Sequence, residues 1–115
     1  MFLILLFLAT VFGTSTSAPV PAPPSADLCN YAKVAHLQPA THLIVRSGPG
    51  KHFPKTDQLE DGAVVYTCDE HSDWLKVCYA TGPCNEVFPQ GLDAKKAQEC
   101  KSGWVNRRWI EIISG

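Results

Sequence analysis

The sequence predicts a single small all-β domain: a barrel of five to six short strands with an insertion before the penultimate one. Two observations carry this reading. Short runs rich in Val, Ile, Thr, Tyr and Trp recur from residue 30 onward, suited to a pleated, half-buried surface. Gly, Pro, Asn and Asp punctuate every gap between them. With 115 residues the chain has room for one domain and not two.

The elements follow in order. Asn30 to Leu37 reads as a first strand, interrupted by Gln38-Pro39-Ala40. His42 to Arg46 is the next, with Leu43 and Val45 on one face and His42, Ile44 and Arg46 on the other. Ser47-Gly48-Pro49-Gly50 breaks it, because Gly supplies positive φ and Pro fixes φ near about −65°. Lys51 to Thr56 is a loop, Asp57-Gln58-Leu59 a short strand and Glu60-Asp61-Gly62 a turn. Ala63 to Cys68 and Trp74 to Tyr79 form the clearest hairpin. Tyr79 to Ser102 is an insertion, with a short helix over Asp93 to Glu99. Gly103 to Asn106 is a strand, Arg107-Arg108-Trp109 a single 3₁₀ turn and Ile110 to Ile113 the closing strand.

Residues 1–18 read as a signal peptide. Met1 to Phe12 is almost wholly apolar, and Thr16 and Ala18 fit the small-residue rule for cleavage. The run is short of the roughly 20 residues a spanning helix needs, so no membrane span remains after cleavage. Residues 19–26 form a Pro-rich linker, extended and semi-rigid, and residues 27–115 form the folded domain. These features place the chain in the periplasm or outside the cell.

Export governs how the five cysteines read. In an oxidising compartment they are disulfide staples, and an odd number leaves one over. A four-residue turn, Glu70 to Asp73, would set Cys78 opposite Val65. That is three residues from Cys68, roughly 10 Å at 3.3 Å per residue. A disulfide needs Cα atoms within about 7 Å, so Cys68–Cys78 requires a bulge. Cys29 reaches either one if the first strand lies beside this hairpin. The net charge is −1, with Lys and Arg dispersed, which is not the footprint of a nucleic-acid binder.

Three segments recur in a telling order: Leu43-x-Val45-Arg46-Ser47-Gly48-Pro49-Gly50, then Leu59-x-x-Gly62, then Trp74-x-x-Val77 followed by Gly103-Trp104-Val105. This set resembles the bacterial SH3 (SH3b) domain family over roughly Ala40 to Ile113. The resemblance implies an SH3-like barrel that binds rather than catalyses. The flanking cysteines of the insertion and the ending Ile112-Ile113-Ser114-Gly115 look like a group of small secreted SH3-domain proteins of Gram-negative bacteria. That likeness implies that Cys84 pairs with Cys100, closing a loop of about 15 residues.

Catalytic and metal chemistry find little support. His71 lies three residues from Cys68 but at a hairpin tip, and no Cys-x-x-Cys or His-x-x-x-His pair occurs. No enzyme activity, cofactor or metal is expected. The informative residues are aromatic. Trp104 and Trp109 are assigned to the core. Arg46, Phe53 and Trp74 are the candidate ligand-binding residues, lining a shallow peptide site with apolar contact and a cation. The expected role is an exported non-catalytic module contacting a peptidoglycan peptide or an envelope protein. The alternative is an inhibitor or immunity-like protein acting on a partner enzyme through the insertion, Pro83 to Glu99.

Overall fold

In a computed structural model of the chain, the structure describes residues 28–114. The expected signal peptide and Pro-rich linker lie outside them. Eight strands form: β1 (Leu28–Val34), β2 (Leu43–Arg46), β3 (Lys55–Leu59), β4 (Val64–His71), β5 (Trp74–Tyr79), β6 (Leu92–Asp93), β7 (Lys101–Asn106) and β8 (Ile110–Ile112). One helix, α1 (Ala94–Ala97), and 3₁₀ turns at Gly82–Asn85 and Arg107–Trp109 complete the fold. The protein is all-β, as expected, and of these strands β6, inside the insertion, is the one that has no counterpart in the elements read from the sequence. Among the described residues no helix is long and apolar enough to cross a membrane.

Hydrogen-bonded neighbours run β3-β2-β7-β5-β4-β1-β6, and β8 joins β1. All pairings are antiparallel. The sheet curls around its core but does not close into a full barrel, since β3 and β6 end the hydrogen-bonded path. Leu43 and Val45 of β2 face inward while Ile44 stays exposed, the alternation read from the sequence. With Val34, Val65, Leu75, Val77 and Val105 they make the first core, and Trp109 packs against it.

Gly103 of β7 lies close against β2. A Cβ there would collide with Val45 Cγ1 and stand 3.1 Å from the Arg46 carbonyl oxygen. The Gly-Trp pair therefore has a packing reason: only glycine lets Val45 fill the centre of the core.

The second core explains the insertion. Cys29, Tyr66, Cys78, Cys84, Leu92 and Ala97 are buried together, with Phe88, Cys68 and Cys100 packed against them. Cys29, Tyr66, Cys68 and Cys78 come from β1, β4 and β5, and the others belong to the insertion that covers them. Tyr66 is fully buried and holds the cover in place. Its hydroxyl donates to the Glu86 carbonyl and accepts from the Phe88 N–H, both at 2.8 Å. Burial pushes this phenol above its ordinary range, so it stays a donor at any physiological pH. Asp93 starts α1 by accepting from Lys95 and Lys96 N–H groups, the usual work of an N-cap. The helix, Ala94–Ala97, is shorter than the expected Asp93 to Glu99.

Two disulfides staple this second core: Cys84–Cys100 and Cys29–Cys68. Cys78 is free and buried. Disulfides in so small a domain belong to an oxidising, extracellular-type compartment.

The hairpin register differs from the expectation. His71 pairs with Trp74, so the turn has two residues, Ser72 and Asp73, rather than four. Ser72 takes positive φ, 55°, as two-residue hairpin turns require at their first central position. A bulge between Thr67 and Asp69 then inserts Cys68 as an extra residue. Cys78 accordingly pairs with Tyr66 rather than Val65. The bulge brings the Cys68 and Cys78 sulfurs to 3.3 Å, although Cys68 is bonded to Cys29.

Candidate functional site

A groove of about 460 Å³ opens at one end of the sheet. One wall is Leu37, Gln38 and Thr41 to Ile44, together with Arg46 and Lys51. The other is Trp74, Asn106, Arg108 and Trp109. Backbone hydrogen bonds fix both walls. Thr41 turns the first wall back on itself through its N–H and hydroxyl, both donated to the Gln38 carbonyl. The Ala35 N–H donates to the Trp109 carbonyl and ties the 3₁₀ turn to the end of β1.

The hairpin tip is pinned to the same turn. The Arg107 N–H donates to the Asp73 carbonyl at 2.8 Å, and its guanidinium reaches Glu70 and the Ser72 carbonyl at 3.1 Å. The ion pair is exposed and contributes little by itself; the backbone contact sets the geometry. Asn106 caps the turn by accepting from the Arg108 N–H. Trp74 and Trp109 thereby stand on the same wall, half-buried.

The electrostatics are one-sided. Arg46, Lys51 and Arg108 line the groove with His42, and no Asp or Glu does. Among the described residues none of these three cations is in an ion pair, the two salt bridges being Lys101–Asp57 and Arg107–Glu70. The Arg108 guanidinium lies 4.9 Å from the centre of the Trp109 ring, a cation–π contact that holds the charge over the aromatic wall. A positive groove with apolar walls suits a peptide bearing carboxylates.

Of the three residues expected to bind ligand, the structure brings Arg46 and Trp74 to this groove. Phe53 is elsewhere. Its ring lies against Gly48, where an added Cβ would stand 2.5–2.7 Å from ring carbons. Its carbonyl accepts from Arg46 Nη1 at 2.9 Å. Phe53 thus sets the Gly-Pro-Gly turn and aims Arg46 rather than lining the groove. Ile44, Arg108 and Trp109 are groove residues that the sequence reading missed. The exposed face of β2 was the available signal: Ile44 shares it with Arg46. Trp109 serves two roles, against the first core and along the groove.

Opposite the groove sits a smaller polar network. Tyr79 donates its hydroxyl to Asp57 Oδ2 at 2.9 Å, and Lys101 lies 3.5 Å from the same oxygen. Hydrogen bonds from the Gln58 N–H and the Tyr79 hydroxyl, with the Lys101 charge, hold the Asp57 carboxyl below its ordinary value. Burial and the Asp57 contact push the Tyr79 phenol far upward. Because Asp57 is depressed in the fold, its ionised form stabilises above the unfolded value near about 3.9, and that contribution is lost as pH falls through the folded value. Asp57→Asn is therefore expected to be less stable than the parent at pH 7. The gap closes as pH falls through the folded value of Asp57, which urea midpoints across pH will read.

Among the described residues no three His, Cys, Asp or Glu side chains group to hold a metal ion. No family model, no curated protein and no solved structure matches this chain.

Proposed function

We propose that this protein is an exported, SH3-like, non-catalytic binding module of the cell envelope, periplasmic or secreted, whose groove takes carboxylate-bearing peptides. Peptidoglycan stem peptides, or an acidic segment of an envelope protein, have that chemistry. The observation that carries this reading is the groove itself: three unpaired cations and two tryptophans converge on it with no acid, in a chain whose net charge is −1. A cationic, aromatic cleft on a near-neutral chain concentrates anionic ligand locally.

Retention on purified sacculi tests it. The parent protein should be retained, and more weakly as salt is raised. Trp74→Ala should bind about 30-fold more weakly, the size of a hot-spot truncation of about 2 kcal/mol. Absence of retention of the parent would remove the cell-wall version.

The inhibitor reading keeps one supporting observation. Val87, on the insertion, is 57% exposed beside Phe88, Pro89 and Gly91. Deleting Pro83 to Glu99 would strip the second core, so a point change is the cleaner discriminator. Val87→Asp should leave retention on sacculi unchanged if the groove binds, and should abolish blockade of a partner enzyme if the insertion acts.

A further inference from the structure

Three of the five cysteines meet at one place. Cys29 of β1 is bonded to Cys68, and the Cys78 thiol lies 3.3 Å from the Cys68 sulfur. With the observed two-residue turn, regular pairing would set Cys68 opposite Val77 and so on the other face of the hairpin from Cys78; the bulge at Cys68 removes that alternation. All three are packed in or against the second core, and Cys78 is the one thiol left over.

We propose that Cys78 is an internal nucleophile on the Cys29–Cys68 disulfide, so that the protein interconverts between a Cys29–Cys68 and a Cys68–Cys78 form. The Cys78 thiolate attacks the Cys68 sulfur. The Cys68–Cys78 bond forms as the Cys29–Cys68 bond breaks, and Cys29 leaves as a thiolate that takes up the proton lost by Cys78. Nothing is oxidised or reduced overall, so no external redox partner is needed. The product bridge joins β4 and β5, strands already paired through Tyr66 and Cys78.

The consequence is positional. Exchange moves the free thiol from the hairpin to the start of β1, beside exposed Leu28 and the segment that precedes the domain. It also removes the covalent tie between β1 and β4 at that end, leaving the backbone ladder from Asn30–Thr67 onward and the pairing of Cys29 with Leu92. Burial pushes the Cys78 thiol up, with the Lys76 charge acting in the opposite direction. Since the thiolate is the attacking species, exchange is slow at neutral pH and accelerates by about tenfold per pH unit.

The full oxidised chain tests this without added thiol. Samples held at pH 7 and pH 9 are quenched in acid, unfolded, labelled with N-ethylmaleimide and mapped by mass spectrometry. Label on Cys29 in molecules carrying a Cys68–Cys78 bridge is expected, growing faster at pH 9. The rate should be unchanged by tenfold dilution, as an internal reaction requires. Cys78→Ser should show none of it. Label found on Cys78 alone at every time and pH overturns the proposal, as does a rate that falls with dilution. Cys29→Ser gives a second readout that does not need Cys78 replaced. It should contain a Cys68–Cys78 bridge and no free thiol on unfolding; two free thiols would overturn the proposed contact.

Discussion

Tyr66→Ala is expected to lower folding stability by about 3–5 kcal/mol, the cost of emptying a buried aromatic site. Tyr66 is completely buried at the centre of the second core, with rings of Tyr31 and Phe88 at 5.9 and 6.3 Å. Its hydroxyl satisfies two backbone groups of the insertion, the Glu86 carbonyl and the Phe88 N–H. Tyr66→Phe separates the two contributions. It keeps the ring and orphans both backbone groups, which should cost about 1–3 kcal/mol. Urea unfolding measures both variants. Amide exchange at Phe88 should quicken in Tyr66→Phe, while amides of β2 and β7 keep their protection. Equal loss of protection everywhere would show that the insertion is not a separately held cover.

The Cys84→Ser/Cys100→Ser variant is the second large effect, at about 3 kcal/mol in the chain-entropy model for a loop of this length. The bridge spans 16 positions and closes the insertion over its own core. The segment between is otherwise held by the Tyr66 bonds, two β6 pairings and the packing of Phe88, Leu92 and Ala97 in the second core. Loss should appear as a lower urea midpoint with a near-unchanged slope if the insertion still folds, and a changed slope if it frays. The groove lies on the other core, so ligand binding should survive in conditions where the variant remains folded.

Much of the fold was legible in the residues. Leu43 and Val45 alternate with Ile44 and Arg46, and that period of two fixed which face of β2 is buried. Turn residues bounded nearly every strand. What stayed hidden was the second layer. Val64-Val65-Tyr66 and Val77-Cys78-Tyr79 are continuous apolar runs, and β4 and β5 are buried on both faces at these positions. Unbroken apolar runs of this kind signal strands covered on two sides; the insertion is the cover. The Cys68 bulge was not legible at all. It depends on a one-residue register choice within the hairpin, and local propensity does not make that choice.

The site was legible in part for a related reason. Arg46 and Trp74 sit on strands whose faces can be read from periodicity. Arg108 and Trp109 reach the groove only through the 3₁₀ turn, whose placement rests on long-range contacts to Asp73 and Ala35. Phe53 was expected at the surface of its loop and instead packs under Gly48, because the glycine leaves its ring a place to go.

The most direct test of the groove is a nuclear magnetic resonance titration of the folded domain with a soluble peptidoglycan stem peptide. The indole N–H signals of Trp74 and Trp109, the Ile44 methyls and the Arg46 and Arg108 side chains should shift together and saturate. Trp74→Ala should abolish the saturation at the same peptide concentrations. Saturating shifts confined to Val87 through Gly91, with the groove signals unmoved, would contradict the assignment of the groove as the binding site.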